Sequence, residues 1–448
     1  MTILRFLATL LLAAAWHIPA VAGSLEDYVA RPDASYTWEL RRIGVLDDLR
    51  WAELRLVSQT WRNTTWRHQL YVIRPANVAA GVRHALLFID GGRWKPEYEQ
   101  ATPDTALPSR AGIFADLARR LATPVVVLRQ VPFQPLFGMK EDDLIAHTFE
   151  QYLKTGDADW PLLLPMVKSV VRAMDATQEY AASSWELPID EFTLTGASKR
   201  GWTTWLTAVV DPRVAAIAPM VFDVLNMRAQ LEHQEEVWGS LSEQLADYTR
   251  RDLHTELSSD ASRALRETVD PYGYRERLVQ PKLIILATND PYWPVDALNL
   301  YWDDLPPPKY ILYVPNAEHG LDERERIVEG LAALHAAAGG SASLPQIEWA
   351  FRDDGGVLEL SVSVNTEPAA VTAWVATSKS RDFRRARWVA HPTRREDDGY
   401  TFELRPLPRR YGALFAELTF EEPNRLHLST AVRIVAGSKV PAAHDVAR

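Results

Sequence analysis

The chain contains no cysteine. That one absence removes disulfides, thiolate nucleophiles and cysteine-ligated zinc together. Stability must therefore come from burial, for which 16 tryptophans offer large apolar surfaces. A basic excess is missing as well: 49 Lys and Arg stand against 59 Asp and Glu, a formal charge of −10. No nucleic-acid partner is expected, since such surfaces need clustered positive charge. No H-E-x-x-H motif occurs, so no metal is expected. No phosphate-cradling glycine loop follows a strand-like run, and no cofactor is called for.

Long apolar runs are confined to the beginning. Arg5, the apolar stretch from Phe6 to Trp16, Pro19 and the small residues Ala20-Val21-Ala22 follow the charge, core and cleavage-site order of a secretory signal. Cleavage is expected after Ala22, giving a signal peptide over 1–22 and a soluble protein exported to the periplasm or the extracellular space. No later segment is apolar for the roughly 20 residues that a membrane span needs.

What is present is a chain of 448 residues, longer than one core usually holds, so two domains are expected. In the first, residues 23–340, continuous apolar runs such as His84 to Asp90, Pro124 to Arg129 and Lys282 to Ala287 alternate with helical patterns. That grammar predicts an α/β fold with a mostly parallel sheet covered on both faces. Between about 225 and 278 the pattern is helical and polar, too long for one crossover helix, and reads as a cap inserted over the site. After the linker-like Gly339-Gly340-Ser341-Ala342-Ser343, residues 344–448 carry short alternating runs, among them RARWVAHP and LHLSTAVRIV. They predict an all-β sandwich, either a binding module or a domain that packs on the first.

The stretch from Glu191 to Ala208 organises the first domain. It reads as strand, tight turn and helix, with Ser198 at the turn between Gly196 and Gly201. Such a turn lifts a serine hydroxyl clear of the sheet edge as a nucleophile. The following helix aims its first N–H groups at the same spot. The closing glycine sits one place later than in G-x-S-x-G, so the pattern alone also fits a helix-capping serine. Asp290 and His319 each follow a predicted strand, completing the order serine, acid, histidine. His319 would take the serine proton and return it to the leaving group, while a carboxylate fixes the imidazole tautomer.

Asp223 also follows a strand and is the alternative acid; if Asp290 holds that role, Asp223 caps a helix or lines the substrate site. The backbone N–H of Lys199, with those of Gly92 and Arg93 after the strand at His84, would form an oxyanion hole. Arg200, Trp94 and Trp293 are further candidates for binding substrate. For Lys199 and Arg200 two readings stand: a grip on a substrate carboxylate, or ion pairs with Glu141 to Asp143.

These residues lie in runs that resemble the PhoPQ-activated pathogenicity-related family. The matching runs include EDDLIAHTF, LPMVKSVVRAMDATQEY, TGASKRGWTTWLTA, PKLIILATNDPYWPVDALNLYWDDL and YVPNAEHGL, over most of Tyr71 to Leu321, and RDFRRARW and FAELTF beyond it. Phe133 departs from the asparagine usual there. The resemblance implies an exported α/β-hydrolase-type fold, an undefined substrate and, in some relatives, secreted signalling or repression of growth. The late-glycine elbow is also similar to that of glucuronoyl esterases, which implies an ester or an acidic-sugar substrate. Two functions are therefore expected as alternatives: a serine hydrolase acting on a small-molecule, saccharide or peptide ester or amide, or a signalling or binding protein on the same scaffold. Oligomeric state leaves no trace in the sequence.

Overall fold

The computed structural model describes residues 24–79, 81–99, 112–259, 262–421 and 425–437. The expected signal segment lies outside them. Nine strands form one sheet: β1 (Thr37–Leu46), β2 (Leu49–Trp61), β3 (Thr64–Pro75), β4 (His84–Ile89), β5 (Val125–Leu128), β6 (Glu191–Ala197), β7 (Val214–Met220), β8 (Lys282–Ala287) and β9 (Lys309–Val314). Their order is β1-β2-β3-β5-β4-β6-β7-β8-β9. The first three strands are joined as antiparallel neighbours and β3 meets β5 antiparallel, whereas every pair from β5 to β9 is parallel.

Burial explains the apolar runs. In β5 the side chains of Val126 and Leu128 enter one core while those of Val125 and Val127 enter the other. Both faces are therefore covered, and no polar alternation remains. The helices are α1 (Ser24–Ala30), α2 (Gly112–Leu121), α3 (Glu141–Thr155), α4 (Leu163–Trp185), α5 (Lys199–Val210), α6 (Met227–Trp238), α7 (Ala246–Thr249), α8 (Leu253–Ser258), α9 (Arg263–Val269) and α10 (Arg324–Ala338). Buried residues of α1, α4 and α5 pack into the first core and those of α2 and α10 into the second. Between β7 and β8 the chain is helical, α6 to α9 followed by a 3-10 turn at Pro271–Arg277. A parallel sheet sandwiched by helices, with a strand-turn-helix at β6 and α5, is the α/β-hydrolase fold.

The remaining strands make two antiparallel sheets, one built on Ile347–Asp354, Val357–Val364, Gly399–Leu404 and Arg394–Glu396, the other on Ala370–Ser378 and Tyr411–Phe420 with shorter partners. They cover the β9 edge of the large sheet: the Tyr313 N–H donates to Ser429 Oγ at 3.1 Å, and the Tyr313 ring meets Phe415 at 5.3 Å. An edge that would otherwise offer unpaired backbone groups is shielded. One expected run divides. RARWVAHP becomes a strand only from Val389, and residues 385–388 instead form a turn whose backbone is taken up by the first domain.

Buried histidines set the acid limit of this fold. Burial lowers His68 and His84 to about 4 each, and burial together with the stacked His84 ring 4.2 Å away lowers His335 to about 3. These folded-state values lie below the ordinary 6.5, so on unfolding the chain takes up protons between about pH 6.5 and 4. The histidines' share of stability is complete above this window and is lost as the pH falls through it, partly offset by Asp223 and Asp270, whose carboxyls burial raises to about 8 and about 6. Melting curves from pH 7.5 to 4 should show Tm dropping below about pH 6.5, with a shallower slope in His335→Gln. A His335→Gln slope no shallower than that of the parent protein would refute the assignment.

Candidate active site

Ser198 joins β6 to α5 with φ 58° and ψ −128°, a strained conformation for a residue with a side chain. Its N–H donates to the Met220 carbonyl at 2.8 Å, tying the turn to the end of β7. The glycines around it are fixed by contact. A Cβ on Gly196 would lie 2.8 Å from the Arg200 carbonyl oxygen, and one on Gly201 would lie 2.9 Å from that of Met220. The late glycine thus sits where α5 crosses the backbone of β7. The first helical bond of α5 runs from the Trp202 N–H to the Ser198 carbonyl at 3.0 Å, so the N–H groups of Lys199, Arg200 and Gly201 precede the helical ladder.

Asp290 and His319 stand in the loops after β8 and β9. His319 Nδ1 lies 2.8 Å from Asp290 Oδ2, and Asp290 Oδ1 accepts from the Tyr292 N–H at 2.9 Å. The Tyr292 ring covers the imidazole at 4.3 Å. His319 Nε2 is buried and has no hydrogen-bond partner. His319 lines a concavity of about 750 Å³, including the open mouth, together with Ser198, Lys199 and Trp293.

Two asparagines that the sequence reading passed over hold these loops. Asn289 Nδ2 donates to the carbonyls of Phe383, Arg384 and Ala386 at 3.3, 3.2 and 2.7 Å. Asn316 pairs with Trp388 as a backbone would, Nδ2 donating to its carbonyl at 3.0 Å and Oδ1 accepting its N–H at 2.7 Å. Thr288 links the loops, its Oγ1 accepting from the Asn316 N–H at 2.8 Å and donating to Asn289 Oδ1 at 2.8 Å. The turn at 383–388 of the second domain therefore fixes both the acid and the imidazole. Asparagines in T-N-D-P and P-N-A-E-H are the only sequence trace, and each also reads as an ordinary turn residue.

Other expected residues fall elsewhere. Arg200 does not reach the cavity: Nη1 and Nη2 grip Glu141 at 2.7 and 2.8 Å and Nε donates to the Val131 carbonyl at 2.5 Å. Lys199 Nζ pairs with Glu141 at 3.0 Å and Asp142 at 3.2 Å, so the ion-pair reading holds for both cations. Gly92, Arg93 and Trp94 are absent from the cavity wall. The Arg200 guanidinium fills the space beside Gly91, where a Cβ would lie 2.5 Å from Nη2, and Gly92 adopts a positive φ of 108°. The Trp94 N–H donates to the Gln134 carbonyl at 3.2 Å, and its ring packs on Tyr98 and Phe133. Phe133 belongs to that aromatic layer and has Trp66 as its other neighbour.

Asp223 is neither the partner of His319 nor a cavity residue. It is buried and accepts from the Tyr301 hydroxyl at 2.8 Å; burial raises its pKa to about 8 against that bond, and the neighbouring Asp290 and Asp296 push the same way. Removing a pin should be costly. Asn289→Ala leaves three carbonyls without their donor, and a loss of about 1–3 kcal/mol in urea unfolding is expected. A change under about 0.5 kcal/mol, typical of a surface site, would show the pin to be dispensable.

The chain has relatives among known proteins. The chain is 33% identical over 387 residues to autocrine proliferation repressor protein A of Dictyostelium discoideum, covering 80% of this chain and 76% of that one. Among solved structures it is similar to the acetyl xylan esterase from Paenibacillus sp. R4, with TM-score 0.45 and 12% identity over 68% of this chain and 91% of that one. A glucuronoyl esterase from Solibacter usitatus aligns with TM-score 0.41 and 12% identity over 70% and 91%. A sequence model of the PhoPQ-activated pathogenicity-related proteins matches residues 25–384, from α1 to the turn that pins the acid loop, and the chain belongs to that family.

Proposed function

We propose that this protein is a serine hydrolase that cleaves a carboxylic ester or amide through an acyl-enzyme on Ser198. The observation that carries the reading is the His319–Asp290 pair, in which His319 has an unpartnered Nε2 and lines the same cavity as the strained Ser198. Apo hydrogen bonds between nucleophile and base are often open and tighten only with substrate present. In the proposed reaction Ser198 Oγ attacks the carbonyl carbon and His319 Nε2 takes its proton. The carbonyl oxygen gains negative charge next to the first N–H groups of α5, where the helix end favours it. Collapse breaks the bond to the leaving alcohol or amine, which carries off the proton from His319. Water then repeats the sequence and frees the acid. Asp290 keeps the Nδ1 proton in place and steadies the imidazolium.

A second reading is favoured by the name of the Dictyostelium relative, a repressor of proliferation: a secreted signal that uses the scaffold without turnover. Export belongs to both readings and rests on the leader-like first 22 residues. Amino-terminal sequencing of the secreted protein is expected to begin at Gly23.

A fluorophosphonate probe separates the two. Labelling is expected in the folded protein, absent in Ser198→Ala, slowed about 10³–10⁴-fold in Asp290→Asn and nearly unchanged in Asp223→Asn. No labelling of folded protein, or equal labelling in Ser198→Ala, removes the hydrolase reading and leaves the signalling one.

A further inference from the structure

Two concavities meet at His319. The first is the cavity that Ser198 lines. The second, about 1520 Å³ and open to solvent, is bordered by His319, Phe88, Phe114, Leu321 and Ile327, and Ser198 is not part of its wall. This asymmetry matters for a serine hydrolase. After attack the acyl group stays bonded to Ser198 Oγ, so it occupies the space that the serine borders. The leaving group accepts its proton from His319 and moves away, which suits the open groove on the other side of the imidazole.

The first cavity has a distinct chemistry. Phe149 of α3, Trp202 of α5 and Phe222 after β7 meet Leu231, Leu245 and Leu257 from the cap. Trp202 and Phe222 are stacked at 5.1 Å, and the Trp202 indole N–H is bound to the Val269 carbonyl, so the ring presents carbon to the cavity. The charges at its edge are paired. Lys199 is held between Glu141 and Asp142, and the other oxygen of Asp142 accepts from the Tyr248 hydroxyl at 3.1 Å. A charged acyl group would lose its hydration there without gaining a free counter-charge. An apolar one gains at every methylene. Thr249 and His254 are the polar exceptions that the cap adds.

We propose that this cavity is an acyl pocket for an apolar acyl chain, and that the leaving group departs through the open groove. The proposal rests on the serine-hydrolase reading and narrows its substrate to esters or amides of apolar carboxylic acids. An acidic-sugar acyl group is disfavoured by the same walls. The cap residues Leu231, Leu245 and Leu257 act as specificity determinants.

The test is a series of p-nitrophenyl esters, acetate through butyrate, hexanoate and octanoate to palmitate, run on the full mature chain beside fluorophosphonate labelling. Burial of each methylene predicts kcat/KM rising about fourfold per carbon, hence about 250-fold from acetate to hexanoate, before falling at palmitate. Leu231→Trp should lower the hexanoate-to-acetate ratio at least tenfold, and Leu257→Phe serves the same purpose if the larger change prevents folding. A second series, alkyl acetates of growing alcohol length, should show a much weaker trend. If labelling depends on Ser198 but kcat/KM is flat or falls from acetate onward, or rises with the alcohol instead, the acyl-pocket assignment is wrong and the hydrolase reading survives. If labelling does not depend on Ser198, both fall.

Discussion

One carboxylate ties together the loops around the serine. Glu141, at the start of α3, receives both terminal nitrogens of Arg200, the ammonium of Lys199 and the amide of Gln134. Gln134 passes the link on by donating to the Gly92 carbonyl at 2.9 Å and accepting from the Glu141 N–H at 2.8 Å. The elbow, the loop after β4 and the loop after β5 are thus bound through one side chain. Burial works against its charge, but Arg200 and then Lys199 outweigh it and hold the carboxyl down to about 2. Two-pronged arginine pairing supplies direction as well as strength, so a lysine at position 200 would not reproduce it. The strained backbone of Ser198 persists because its surroundings leave it no alternative: Arg200 anchors the helix on one side and the Met220 carbonyl anchors the turn on the other.

The other half of the site is held from a different domain. Neither Asp290 nor His319 is reached by the Glu141 cluster. Their loops are instead clamped by Asn289 and Asn316 to the turn at 383–388. Arg381, next to that turn, pairs with Glu236 of α6 at 2.7 Å, so the same segment also touches the cap. A terminal domain that merely packed against the sheet edge would leave the acid and base loops to find their own geometry. Here it supplies their backbone partners.

Much of this was legible in the residues, and what was not has identifiable causes. Strands that are buried on both faces announce themselves as apolar runs, and the ends of such strands place Ser198, Asp290 and His319 on one rim. Local geometry was readable because it depends on neighbours in sequence. The destinations of long side chains were not. Arg200 lies beside the nucleophile in sequence, yet its guanidinium reaches away to Glu141 and fills the space next to Gly91, a packing contact that the glycine pair did not announce. RARW has the alternation of a strand, but its backbone partners are asparagine side chains from loops some seventy residues or more away, a pairing no local pattern records.

The choice between two acids turns on the same kind of distant contact. Asp223 and Asp290 both follow strands, and sequence position separates them only weakly. Their hydrogen-bond partners separate them clearly. Asp223 lies under the Tyr301 hydroxyl with no cation in contact, so the low dielectric raises its pKa to about 8 and it stays largely protonated at neutral pH. A protonated Asp223 adds no second negative charge behind the imidazole. Asp290, by contrast, is offered the Tyr292 N–H on one oxygen and His319 Nδ1 on the other, the two contacts that a carboxylate needs to fix a tautomer. In the proposed reaction the positive charge arising on His319 therefore faces one oriented carboxylate rather than two competing ones. The neutral aspartic acid behind it keeps the arrangement from requiring two buried negative charges side by side.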